Sequence, residues 1–362
     1  MRFDKELGRF TDDEGRVILP FEMACVRTEW GLQCSRPWKI GPVDLRPIQR
    51  EIWQAKMVSA LRAAVGEHVV AGWLSTYELE ERGIDSGWCA GNLYWSTQGS
   101  TYVPSGVAVE REVVEFLEAG HEPAYWIIRE PLWNWLRAGW SVSKCVASLA
   151  MLINGIRRAD PAPGSRPIVW SEAHVGWAEE ERPSGLRNWT EANFRECMAE
   201  LAPEVEVVGV DLYQSDPRRP KDWRPMWWNI PELAGKPRAV AEMAWNPYPW
   251  LDEQLAKSAR YRRRLERTGH EIEPVGKRGY PIVTDHETRI RRFGEQMRGL
   301  THWEDLCLVG YHGGVSFAGS ALSSYTPWGI LYEPVTGTWW DPRPIRGIVD
   351  DTRERWRQNQ EA

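Results

Sequence analysis

One pattern governs what this chain can fold into. Short, almost wholly apolar runs alternate with longer stretches of helical periodicity. The runs are Val17–Cys25 (VILPFEMAC), His68–Leu74, Ala124–Arg129 (AYWIIR), Pro167–Glu172 (PIVWSE), Val205–Tyr213, Arg238–Met243 and Leu306–Tyr311. Strands without a polar face are buried on both sides, which is the condition of a parallel sheet covered by helices. Between the runs lie predicted helices. Asp44–Val65 has Asp44 as N-cap candidate and an apolar stripe of Leu45, Ile48, Ile52, Trp53 and Met57. Val107–Ala119 stops at Gly120, Ser141–Ala159 follows, Thr190 caps a helix to Leu201, and His286–Leu300 and a charged helix from Ile345 complete the set. A short hairpin is predicted over Gly329–Trp340.

Such an alternation predicts an α/β fold, and a (β/α)8 TIM barrel in a single domain fits 362 residues. Seven strands are evident; an eighth is sought in the irregular segment Tyr77–Pro104. A doubly wound sheet is the alternative, but no G-x-G-x-x-G follows a first strand, which argues against a dinucleotide version. A loop insertion is expected at about 246–285, between the seventh strand and its helix. It carries the basic run Lys257–Arg267, read as a solvated helix face or as a lid over an anionic ligand.

Bulk properties narrow the function. A net charge of −6 does not suit a general nucleic-acid binder. No apolar run approaches a membrane span, and the start, Met1-Arg-Phe-Asp-Lys-Glu, lacks a secretory pattern, so a cytoplasmic protein without membrane contact is expected. The six cysteines form no C-x-x-C pair, and no His/Asp/Glu spacing suggests a metal, so neither metal nor other cofactor is expected. The 23 Trp are more than a core of this size needs. Indole faces stack on sugar rings, so the excess leans towards a site for a ring-shaped polar ligand, although each single Trp is as readily a packing residue.

In a barrel, chemistry gathers at the carboxyl ends of the strands. Four acids fall there: Glu130, Glu172, Asp211 and Glu242. Retaining glycoside hydrolysis needs two carboxyls roughly 5–5.5 Å apart, one as nucleophile and one as acid and then base. Glu130, flanked by Trp126, Pro131, Trp133 and Trp135, has the apolar setting that keeps an acid protonated. Glu172 ends another buried strand, as a rival acid or a sugar-site residue. Gly310-Tyr-His-Gly-Gly314 lacks the Gly-Lys-Ser/Thr ending of a phosphate loop and reads as a turn with positive φ.

The segment Tyr125-Trp-Ile-Ile-Arg-Glu-Pro131 resembles the strand of family 1 (clan A) retaining glycoside hydrolases that ends in Asn-Glu-Pro and carries the acid/base. Val205–Tyr213 resembles that family's sixth strand, Arg238–Met243 its seventh, Leu306–Tyr311 its eighth, and Trp328–Tyr332 with Asp341–Pro344 its closing hairpin. The resemblance spans roughly residues 110–345. It implies Glu242 as nucleophile, Glu130 as acid/base, and Tyr213 as the hydrogen-bond partner of the nucleophile. Arg27 lies where the family often has a Gln after the first strand. Trp133, Trp177 and Trp245 are candidate walls of sugar and aglycone subsites, and His174 and His312 candidate sugar donors.

The chain departs from the family in three places. Arg129 stands where Asn normally contacts the sugar 2-hydroxyl; Glu242 is followed by Met-Ala-Trp in place of Asn-Gly; and Tyr311 is followed by His-Gly-Gly-Val-Ser-Phe in place of a Trp-Ser element. A bidentate Arg suits a carboxylate or phosphate, so an atypical or acidic glycoside, small or oligomeric, is the expected substrate. The same departures motivate the alternative: a catalytically inactive barrel that binds a carbohydrate or a protein partner.

Overall fold

The computed structural model describes residues 1–25, 39–40, 43–44, 60, 63–64, 66, 69–72, 88–93, 106–118, 123–162, 166–173, 188–214, 225–245, 272–275, 280–283, 286–303, 305–315, 330–333 and 338–361. Eight strands close into a barrel. In chain order they are β1 (Phe21–Cys25), β2 (Val69–Gly72), β3 (Trp88–Leu93), β4 (Pro123–Arg129), β5 (Ile168–Ala173), β6 (Val207–Gln214), β7 (Arg238–Trp245) and β8 (Leu306–Val315). Each pairs in parallel with its chain neighbours, and β8 closes on β1 through Val309↔Phe21. The eighth strand sought in 77–104 is thus β3.

Helices cover the outside: α1 (Gly106–Glu118), α2 (Pro131–Arg137), α3 (Val142–Ala159), α4 (Glu191–Leu201), α5 (His286–Leu300) and α6 (Arg343–Glu361). Their start signals work as expected. Ser141 Oγ accepts the Lys144 N–H at the head of α3, and Thr190 Oγ1 accepts the Asn193 N–H at the head of α4. On α3, Cys145, Leu149, Leu152, Ile153 and Ile156 form the buried stripe. Fully burying each Leu or Ile side chain stabilises by about 1.5–3 kcal/mol. Gly155 on that helix lets α1 approach: a Cβ there would lie 2.8 Å from Val109 Cβ.

The core has two layers. The shell between strands and helices holds most of the buried side chains, among them Trp126, Trp135, Trp170, Trp189, Trp227 and Trp356, all fully buried. For these six, packing is the use the structure makes of the indole. The smaller inner layer contains Tyr125, Ile127, Val169, Val207, Ala239, Ala241, Cys307 and Leu308. It is closed at the amino ends of the strands by a three-stranded antiparallel sheet, Arg2–Asp4, Arg9–Thr11 and Val17–Ile18. Met1, Phe3 and Phe10 enter the inner layer from that sheet.

Two expectations are corrected. Val17–Cys25 is two strands: Val17–Ile18 belongs to the floor sheet and Phe21–Cys25 to the barrel, with Pro20, which has no N–H to donate, between them. Asp44 pairs with Lys39 in a two-strand ribbon, and residues 45–59, where the helix after it is expected, lie outside the described residues. Gly310–Gly314 is not a turn but part of β8, and Gly310 is absent from the positive-φ glycines. Its lack of a side chain answers a different need: a Cβ there would run into the Ala241 carbonyl. Within the expected insertion, Ile272–Val275 and Tyr280–Val283 form an antiparallel pair. The basic run 257–267 lies outside the described residues. The hairpin over Gly329–Trp340 appears as Tyr332–Glu333 paired with Thr338–Trp339.

Candidate active site

Glu130 is the first residue beyond β4 and the N-cap of α2, with φ 48° and ψ 37°. Among the described residues it is the only non-glycine at positive φ. A left-handed backbone costs an L-residue roughly 1–2 kcal/mol, and such strain concentrates at functional positions. Here it is held from both sides. The Glu130 N–H donates to the Ser171 carbonyl of β5 at 2.8 Å, and its carbonyl accepts from Asn134 N at 3.1 Å and Asn134 Nδ2 at 2.8 Å. Pro131 at the first helical position ends the strand and pre-sets φ for α2. The Glu130 side chain makes no cap hydrogen bond to α2 and is half-buried.

Glu172 takes over the capping work. Its Oε1 accepts from Leu132 N at 2.8 Å and from Trp170 Nε1 at 2.7 Å, and its Oε2 accepts from Trp133 N at 3.0 Å. Successive strand residues face opposite sides, so Glu172 shares its face with Trp170, which packs in the outer shell. It is fully buried. Glu172 therefore anchors the first turn of α2. Burial pushes its carboxyl up to about 8 against the pull of those three N–H donors, and the nearby Glu130 adds a smaller upward push.

The opposite face of β5 carries Ser171 inward, where its Oγ donates to Asp211 Oδ2 of β6 at 3.5 Å. Asp211 is 2% exposed and pairs in register with Glu242 of β7. Glu242 lies near the carboxyl end of that strand, and Tyr213 is two residues beyond Asp211 on the neighbouring one. Val210 pairs with Val240 and Asp211 with Glu242, so Ala241 is an extra residue in β7, a bulge immediately before Glu242. Bulges re-aim the side chains that follow them and are over-represented beside active sites.

Arg129, the last residue of β4, is 2% exposed, and its Nη1 donates to the Ala241 carbonyl at 3.0 Å. Trp133 on α2 is half-buried, edge-on to Trp189 at 5.1 Å, with the Arg137 guanidinium 5.2 Å above its ring. Trp245 ends β7 and His312 lies within β8, both at the carboxyl end of the barrel. Arg27, His174 and Trp177 lie outside the described residues. The strands thus bring Glu130, Arg129, Glu242, Tyr213, Trp245 and His312 to one end of the barrel, and set Glu172 behind it. Asp211, Ser171 and the Ala241 bulge are site features to which sequence reasoning gave no role. Asp211 alone was visible as an acid at a strand end; nothing in the sequence marks a bulge.

Among the described residues no cluster of three or more His, Cys, Asp or Glu suits a metal ion. No helix of the described residues is long and apolar enough to cross a membrane. No protein-family model and no curated protein sequence matches the chain. Solved structures do match, glycoside hydrolases among them. An agarase, AgWH50C, superposes with a TM-score of 0.57 at 10% identity, over 97% of this chain and 62% of that one. A GH2 β-galacturonidase from Eisenbergiella tayi, bound to galacturonate, superposes with a TM-score of 0.50 at 12% identity, over 93% of this chain and 52% of that one. The chain spans less than two thirds of both. What these likenesses establish is the architecture, a (β/α) barrel.

Proposed function

We propose that this protein is a retaining glycoside hydrolase of clan A type, most similar in its strand-end motifs to family 1. The observation that carries this reading is the placement of two glutamates, Glu130 and Glu242, at the carboxyl ends of β4 and β7 of a closed parallel barrel. Strained backbone at one of them and a bulge beside the other support it.

In the first step the Glu242 carboxylate attacks the anomeric carbon while Glu130 gives its proton to the departing glycosidic oxygen. The C–O bond to the aglycone breaks and a glycosyl ester on Glu242 forms. In the second step Glu130, now a carboxylate, takes a proton from water; the water oxygen attacks the anomeric carbon and the ester to Glu242 is released. Tyr213 donates to Glu242 and steadies it, and Trp133 and Trp245 supply aromatic walls to the subsites. The substrate is a small or oligomeric glycoside, and the reaction requires no cofactor. The domain is a single barrel with its insertion at about 246–285.

The test is intact-protein mass spectrometry after incubation with 2-deoxy-2-fluoro glycosides bearing activated leaving groups. A mass gain located on the Glu242 peptide, and absent in Glu242→Gln, is the expected result. If no compound across neutral and acidic sugars labels the protein, and no aryl glycoside is hydrolysed, the barrel is a carbohydrate- or partner-binding protein instead.

A further inference from the structure

One buried side chain connects the two halves of the proposed machinery. Arg129 directly precedes Glu130; the carbonyl it binds, that of Ala241, directly precedes Glu242. These residues lie on β4 and β7, three strands apart around the barrel, so the guanidinium spans the interior between them. The surroundings of Ala241 are shaped for this contact. On β8, Gly310 carries no Cβ, and any Cβ there would collide with the Ala241 carbonyl. On β6, a Cβ at Gly209 would sit 3.2 Å from both Ala241 Cβ and Ser171 Cβ. The bulge is therefore enclosed by two glycines and fastened by one charged donor, and a hydrogen bond from a charged group is worth about twice a neutral one.

Resting on the glycosidase reading above, we propose that Arg129 is a positioning residue: by tying the bulge before Glu242 to the strand end before Glu130, it sets the separation of the two carboxyls. It holds the protein's own backbone in this role, in place of an acidic group on the substrate. Retaining chemistry is sensitive to that separation, and a displacement near 1 Å costs on the order of 100-fold in rate.

The test uses two readouts on Arg129→Met, Arg129→Lys, Gly310→Ala and the Met/Ala double variant of the full chain. The first is hydrogen–deuterium exchange over residues 238–245. Arg129→Met loses protection there, and Gly310→Ala does so as well because it displaces the same carbonyl. The second is kinetics with the aryl glycoside of the sugar whose 2-fluoro analogue labels the wild type. Arg129→Met and Gly310→Ala each lose on the order of 100-fold in kcat with KM changed only a few-fold. The double variant is no slower than the worse single, because both changes break one contact. Arg129→Lys, which keeps a charged donor, retains part of the rate.

Unchanged exchange in Arg129→Met overturns the tie, whatever the kinetics. So does a variant that keeps kcat on neutral glycosides and loses affinity for acidic ones alone, the mark of substrate recognition. Lost protection in Arg129→Met together with an unlabelled, inactive wild type sinks the glycosidase reading while leaving the tie itself standing, so the two failures are distinct.

Discussion

The strained Glu130 backbone has a thermodynamic signature. The left-handed conformation opposes folding for Glu but not for Gly, whose missing Cβ removes the clash. Glu130→Gly is therefore expected to raise stability by about 1 kcal/mol, read from urea denaturation midpoints, while abolishing hydrolysis. An unchanged or lower midpoint would show that the hydrogen bonds to the Ser171 carbonyl and from Asn134 already make the conformation costless. Glu172 gives a second signature. Its carboxyl stands at about 8 in the fold against 4.5 unperturbed. Between those values the folded protein binds more protons than the unfolded chain, so this group's contribution falls as pH rises from about 4.5 through about 8. The urea midpoint should decline over that window, and Glu172→Gln should flatten the decline. A variant with the same slope as the wild type would assign the dependence to other groups.

At the scale of elements, helix packing decides between two opposing effects at Gly155. Ala in place of Gly within a helix favours folding by about 1 kcal/mol. At this position the new methyl would meet Val109 Cβ and Cγ1, both at 2.8 Å, across the α1–α3 contact. Overpacking of that kind costs about 1–3 kcal/mol, so Gly155→Ala is expected to lower stability despite its better propensity. A higher thermal midpoint would mean that α1 slides away cheaply. Elements of this type were legible in the sequence because periodicity and caps are local. Ser141, Thr190 and the His286–Leu300 stripe fixed three helices to within a residue, and apolar runs located seven strands. β3 reads as Trp-Cys-Ala-Gly-Asn-Leu, with too little β-branched content to announce itself. The capping role of Glu172 was not legible for a reason of parity. Its place at a strand end was readable, but whether it faces inward or outward depends on a register that only the neighbouring strands set. The Ala241 bulge and the Gly310 contact are likewise properties of three strands together.

For the molecule as a whole, the amino-terminal sheet separates stability from chemistry. It closes the barrel at the end remote from Glu130 and Glu242. Lys5 Nζ reaches Glu206 Oε1, just ahead of β6, at 3.1 Å, and Gly8, at φ 63°, brings its turn against Pro237, just ahead of β7. Asp4 Oδ1 accepts the N–H groups of Glu6 and Leu7 within that turn, both at 3.0 Å. At the centre Phe10 is fully buried, edge-on to Phe3 at 5.2 Å and to Tyr125 at 6.1 Å. Removing such a ring leaves a cavity inside the inner layer, which the closed strands cannot collapse to fill. Phe10→Ala is expected to cost about 3–5 kcal/mol in urea unfolding. Because the inner layer lies between that cavity and the strand ends, the rate of labelling of Glu242 by a fluoroglycoside should stay within about threefold of the wild type at temperatures where the variant is folded, the difference of well under 1 kcal/mol that uncoupled sites show. A large loss of labelling in folded Phe10→Ala would mean that the floor and the catalytic end are mechanically coupled through the inner layer, with Tyr125 and Arg129 on one strand as the path between them.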